Sequence, residues 1–166
     1  MEPSLNETLE SLARQYAEVA LEVLGDRLTS VVLYGSVARG EARPQSDIDL
    51  FIVLRDAPRG MSRRRALLEP VRQRRTADLE VLWERGVYTD FVEVIRTEEE
   101  AQRFHPIYLD MTLEAKPLFD RGGFFSRILE RVRQRLEALG ARRRAMGRTW
   151  YWDLKPSFKP GEVIEV

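Results

Sequence analysis

Gly35, Ser36, Asp47 and Asp49 lie within fifteen residues of one another and are of types that could do chemistry together. Asp47 and Asp49 open the run Asp-Ile-Asp-Leu-Phe-Ile-Val-Leu, whose apolar and β-branched composition predicts a strand over 47–54. Along a strand, side chains alternate, so both carboxylates leave one face while Ile48 and Leu50 anchor the other. Two carboxylates held side by side repel unless a cation lies between them. Hard oxygen donors with open positions suit Mg²⁺, which completes its shell with water and substrate phosphate. Upstream, Ser30-Val31-Val32-Leu33-Tyr34 reads as a buried strand that ends at Gly35-Ser36. Glycine lets backbone approach a ligand closely. A serine hydroxyl and the free N–H groups of a helix start suit phosphate oxygens. A phosphate-gripping turn beside a metal-holding pair points to metal-dependent phosphoryl or nucleotidyl transfer.

A third acid would complete such a site, and Glu93 is the best candidate. It interrupts the apolar strand Phe91-Val92-Glu93-Val94-Ile95. A carboxylate there needs a metal or a partner, because burying it unpaired costs several kcal/mol. Asp90 competes, but it stands near the strand start and leaves on the face opposite to Glu93, so it ranks lower.

The elements that must position these residues follow from hydrophobic period. Leu5, Leu9, Leu12, Tyr16, Val19, Ala20 and Val23 predict a helix over 5–24, stopped by Gly25. Residues 61–85 are helical, with Pro70 expected to kink the helix or begin a second one. A third strand runs over 88–95. Thr97 followed by Glu98, Glu99 and Glu100 reads as a capped helix start. A helix over 107–114, a short strand over 116–119 and an amphipathic helix over 124–139 complete the pattern. The fold class is therefore α/β (α+β): a small mixed β-sheet with helices packed mainly on one face. Residues 1–148 form the domain and 149–166 a C-terminal tail with some extended structure.

Composition limits the alternatives. The 27 Lys and Arg balance the 27 Asp and Glu, which argues against a protein that coats DNA in bulk. With no cysteine, disulfides, thiolate metal sites and cysteine nucleophiles are excluded. There is no signal-peptide pattern at Met1-Glu2-Pro3-Ser4 and no run long enough to span a bilayer, so a cytoplasmic protein without membrane association is expected. The basic charge is nearly all arginine. The clusters Arg63-Arg64-Arg65 with Arg72, Arg74 and Arg75, and Arg142-Arg143-Arg144 with Arg148, read first as solvated faces and second as contacts for phosphate, RNA or an acidic partner. His105, the one histidine, reads as structural. Trp150-Tyr151-Trp152 is expected to pack the tail onto the domain.

Gly35-Ser36, ten intervening residues and Asp47-x-Asp49 resemble the signature of the DNA-polymerase-beta-like nucleotidyltransferase superfamily. The wording Gly-Ser-Val-Ala-Arg-Gly at 35–40 is most similar to its minimal nucleotidyltransferase branch. The motif covers about 28–55, and the order of later elements extends the resemblance to about residue 120. The resemblance implies a nucleotidyltransferase fold and transfer of NMP, with AMP first choice, from a nucleoside triphosphate to a hydroxyl of a protein or small molecule. It implies that Gly35 and Ser36 hold the triphosphate, with Arg39 on phosphate. It implies that Asp47, Asp49 and Glu93 are the catalytic carboxylates and ligands of two Mg²⁺ ions, with ATP the expected substrate. The third position is often Asp in the superfamily, and Glu93 is one methylene longer.

Members of this branch often work with a helical HEPN partner in toxin–antitoxin pairs, so a HEPN-type partner, and a homodimer or hetero-oligomer, are expectations of the resemblance. The chain shows no large second domain for polynucleotide or antibiotic binding, which disfavours poly(A)-adding, CCA-adding and full aminoglycoside-modifying enzymes. Two other readings stay open. One is a catalytically weak or inactive binding module that keeps the fold and acts through its arginine and aromatic surfaces. The other is a small-molecule nucleotidyltransferase with a pocket built by a dimer. Three carboxylates on adjacent strands favour the enzyme, and the Glu at the third position leans toward the binding module.

Overall fold

The computed structural model describes residues 1–166. Helix α1 runs Leu5–Leu24. It starts in a capping box: Glu7 N–H donates to the Ser4 hydroxyl (3.2 Å) and Ser4 N–H donates to the Glu7 carboxylate (2.7 Å). Strand β1, Leu28–Tyr34, leads into the four-residue helix α2, Gly35–Ala38. Strand β2 spans Ile48–Leu54, helix α3 Met61–Glu84 and strand β3 Phe91–Thr97. Helix α4, Glu98–Ala101, starts at the cap expected at Thr97, which the structure extends to a capping box with Glu100. Helix α5 (Ile107–Glu114), strand β4 (Lys116–Asp120) and helix α6 (Phe124–Leu139) follow.

The four strands form one mixed sheet in the order β3-β2-β1-β4. Strand β1 is antiparallel to β2 and β4, and β2 is parallel to β3. A parallel pair needs a long crossover, and α3 is that crossover. It continues as one helix through Pro70, where a kink or a break was expected. Pro70 lies on the solvent side, where water can satisfy the carbonyl that the missing N–H releases.

Burial alternates along β2 and assigns its two faces. Ile48, Leu50, Ile52 and Leu54 enter a core shared with α1 and α3. Phe51 and Val53 enter a second core with Tyr108 and Met111 of α5 and with Phe125, Ile128 and Leu129 of α6. The larger core is the α1/α3 one. The other face is covered too. There Phe51 stacks on Phe125 at 4.8 Å between centroids and meets Tyr108 edge-on at 5.6 Å.

The expected boundary at 148/149 lies between two strands that pair: Arg142–Met146 (β5) and Thr149–Asp153 (β6) form an antiparallel hairpin joined by Gly147-Arg148. Trp150 and Trp152 dock this hairpin on α5, as expected for the aromatic run: both indole N–H groups donate to Asp110 Oδ1, at 3.0 and 2.9 Å. His105 is structural, its Nδ1 accepting from Ile107 N–H at 3.2 Å. No helix is long and apolar enough to cross a membrane.

Candidate active site

The antiparallel register sets Asp49 opposite Tyr34, the last residue of β1. Asp49 shares its face with Phe51 and Val53, the α5/α6 side. Asp47 precedes the strand and is exposed. The chain leaves Tyr34 with Gly35 at φ +76°, where an L side chain is strained. A Cβ on Gly35 would lie 2.2 Å from Asp49 Oδ2. The glycine of the motif therefore makes room for the carboxylate itself, and the turn and the acid are one packed unit. Burial, and then the charge of Asp47, push the Asp49 carboxyl up to about 6, with Arg39 opposing. Burial and the charge of Asp49 raise the Tyr34 hydroxyl to about 12. Neither Asp47 nor Asp49 makes a salt bridge or side-chain hydrogen bond, apart from this electrostatic coupling. Two adjacent carboxylates at a cost to each other, with oxygen donors free, fit a divalent cation.

Glu93 does not join them, which corrects its assignment as third carboxylate and metal ligand. In the parallel pairing Glu93 stands level with Leu50, and the residue level with Asp49 is Val92. Glu93 consequently faces α1 and α3, on the other side of the sheet. There it is 8% exposed and fully partnered. Arg72 Nη1 donates to both its oxygens (2.8 and 2.7 Å), and the Tyr16 hydroxyl donates to Oε1 at 3.0 Å. Burial, with the charge of Glu93, raises the Tyr16 hydroxyl far above its ordinary range. Asp90 is bound to the same arginine, with Arg72 Nη2 at 3.1 and 3.2 Å from its two oxygens. No group of three acids or histidines that could hold a metal forms anywhere in the chain.

The basic clusters are solvated in part: Arg63, Arg65, Arg74, Arg142, Arg144 and Arg148 are exposed, while others are bound to acids. Arg72 is spent on Glu93, and Arg64 is buried with a bidentate hold on Glu100 at 2.6 and 2.8 Å. Arg39 sits at the foot of the turn, held by Glu41 (2.8 Å) and by Glu114 of α5 (3.0 Å). Its guanidinium lies over the Trp150 ring at 5.0 Å, and that of Arg143 lies over the same ring at 4.5 Å. The hairpin is thus tied to the motif. Between them opens a cavity of about 720 Å³, lined by Ser36, Arg39, Glu41, Arg43, Ser46, Arg148, Thr149 and Trp150. The structure brings Gly35, Ser36, Arg39, Asp47 and Asp49 together at this end of the sheet.

Arg43, Arg148 and Trp150 were not singled out as site residues by the sequence. A signal for the last two was present: two five-residue runs separated by Gly147-Arg148 are a hairpin pattern, and a hairpin places its turn beside whatever its strands dock on.

The profile of a nucleotidyltransferase domain matches residues 14–118. A Methanocaldococcus jannaschii protein provisionally named a protein adenylyltransferase is 26% identical over 126 residues, which are 75% of this chain and 81% of that protein. Similar solved structures include a toxin–antitoxin crystallised with AMP-PNP (15% identity, 76% of this chain and 92% of that chain, TM-score 0.46). Another is the toxin–antitoxin MntA-HepT (15% identity, 77% and 90%, TM-score 0.44). A third is a Shewanella oneidensis tri-AMPylated HEPN toxin in complex with MNT antitoxin (12% identity, 79% and 92%, TM-score 0.41).

Proposed function

The chain belongs to the nucleotidyltransferase domain family and is a nucleotidyltransferase; from that premise we propose that it transfers AMP from ATP to an acceptor hydroxyl at the Asp47–Asp49 pair. The observation that carries this reading is the unpartnered state of these carboxylates beside the Gly35-Ser36 turn, with Asp49 raised to about 6 by burial and by Asp47. Asp47 and Asp49 would hold magnesium, with phosphate and water completing its shell. When bound, magnesium neutralises charge on the phosphoryl oxygens and orients them for in-line displacement. The acceptor oxygen bonds the α-phosphorus, the bond to the bridging β-phosphate oxygen breaks, pyrophosphate leaves, and the acceptor's proton passes to water. The chain's part is positioning. Ser36 donates its hydroxyl to the triphosphate, Gly35 leaves room for Asp49, and Arg39 presents positive charge at the edge of the cavity.

The relative's name supports a protein as acceptor. The resemblance of the 35–40 motif to the minimal branch supports a helical HEPN-type partner as that protein, with this chain as the antitoxin-type member. Labelled ATP, CTP, GTP and UTP, each incubated with the protein, Mg²⁺ and the neighbouring gene product or lysate, test the reading. Transfer from ATP that disappears in Asp47→Ala and Asp49→Ala is the expected result. Absence of nucleotide binding and of transfer with every metal tried would sink it.

One observation favours a second reading, a nucleotidyltransferase-fold binding module of weak or no activity: the β3 residue level with Asp49 is Val92, and both nearby acids of that strand, Asp90 and Glu93, are bound to Arg72, so no third free carboxylate joins the pair. Partner capture that survives Asp47→Ala together with no detectable transfer by the native chain would select that reading.

A further inference from the structure

We propose that the C-terminal hairpin supplies a polyphosphate-binding arginine, Arg148, to the nucleotide site. This inference rests on the nucleotidyltransferase reading and adds to it a residue from outside the matched domain, which ends at residue 118. The cavity beside the motif has two walls. Ser36, Arg39, Arg43 and Ser46 come from the turn and the loop before β2, and Arg148, Thr149 and Trp150 come from the hairpin. Of its three arginines, Arg39 is matched by Glu41 and Glu114. Arg43 and Arg148 make no ion pair, and they line the same cavity as Ser36 and Ser46. Two unmatched guanidiniums and two hydroxyls are the donor set that a polyphosphate chain selects, because each guanidinium offers a planar fork to phosphate oxygens.

The hairpin is held in register for this task. Asp110 accepts from both Trp150 and Trp152, and Arg143 lies 3.5 Å from Asp110 and 3.5 Å from Glu114. Glu114 in turn grips Arg39. Trp150, with Arg39 and Arg143 over its ring, serves as the post that fixes the turn at Gly147-Arg148 against the cavity. The triphosphate's β- and γ-phosphates, and pyrophosphate as the leaving group, are the ligands of Arg148. AMP, which lacks them, is not.

Titration calorimetry on the full chain with Mg·ATP, Mg·pyrophosphate and AMP tests this. Arg148→Ala is expected to weaken ATP and pyrophosphate about tenfold, the loss of one charge-assisted contact, with AMP unchanged within about twofold. In turnover, KM for ATP rises and kcat holds. Arg142→Ala, exposed on the same hairpin and away from the cavity, removes equal charge and is expected to change nothing. Native-like ATP and pyrophosphate binding by Arg148→Ala overturns the inference and leaves the transferase reading standing. Equal weakening by Arg142→Ala overturns it as well, since net charge would then be the cause. A native chain that binds neither ATP nor pyrophosphate overturns both.

Discussion

Two faces of one sheet carry acids, and the fold uses them in opposite ways. On the α1/α3 face Glu93 is the more deeply buried, yet every contact it needs is present: Arg72 on both oxygens and Tyr16 on one. On the α5/α6 face Asp49 is half-buried and unpartnered, with Asp47 adding repulsion. The difference separates an acid matched by the protein from one left open to a cation. An acid inside an apolar strand must be compensated, and the compensating group can be a cation from the protein or one that arrives with substrate. Burial alone does not distinguish the two, but a list of partners does.

The largest expected effect that could break this comparison is on catalysis. Asp49→Ala should lower labelled-AMP transfer on the order of a hundredfold to a thousandfold, with circular dichroism unchanged. Full activity in that variant would move the site elsewhere. Glu93→Gln should leave transfer within about twofold, since Gln keeps an acceptor for Tyr16 and lies on the other face.

Stability should show the mirror image. Arg72→Met strips Glu93 of its cation and is expected to cost roughly 2–3 kcal/mol in urea denaturation, because a buried charge is left unmatched. The stabilisation by Mg²⁺ should persist in that variant. If the loss is negligible, the Arg72 pair is a surface ornament and the contrast fails.

Gly35→Ala acts between these extremes. Its Cβ would meet Asp49 Oδ2 at 2.2 Å, on backbone of positive φ. A loss of about 1–3 kcal/mol from strain is expected, together with loss of the melting-temperature rise on adding Mg²⁺. Native-like metal response would show that the turn and the acid are independent.

The smallest effect is in pH dependence. Asp49 rises from an ordinary 3.8 to about 6 on folding, so the folded chain holds a proton that the unfolded chain releases. Stability from this group is therefore lost as pH climbs from about 4 to about 6 and stays lost above. In EDTA, Asp49→Asn should melt above the native chain at pH 8 and near it at pH 4. Magnesium should close the gap at pH 8 by raising the native chain only. A gap independent of pH would mean that Asp49 carries no such shift.

Much of this was legible in the residues. The 3.6-residue stripe of α1, the Thr97 cap and the alternation along β2 are local patterns, and the structure contains each of them where they were read. Gly35, Ser36, Asp47 and Asp49 were legible as a unit because a strand end, a turn and a neighbouring strand are close in sequence. The third acid was misplaced for a physical reason. Alternation fixes which residues of β3 share a face, but not which face of β2 they meet; that depends on register. A shift of one residue would exchange Glu93 for Val92 beside Asp49. Register is decided by the two cores and by the α3 crossover, through contacts between residues distant in sequence. The hairpin has the same lesson. Its turn is local, but its place beside the motif depends on Asp110 and Glu114 of α5. Local pattern sets which elements form and which carboxylates neighbour the turn. Which acids remain unpaired, and which arginines lie near them, is set by packing, because pairing is a property of packed elements rather than of neighbours along the chain.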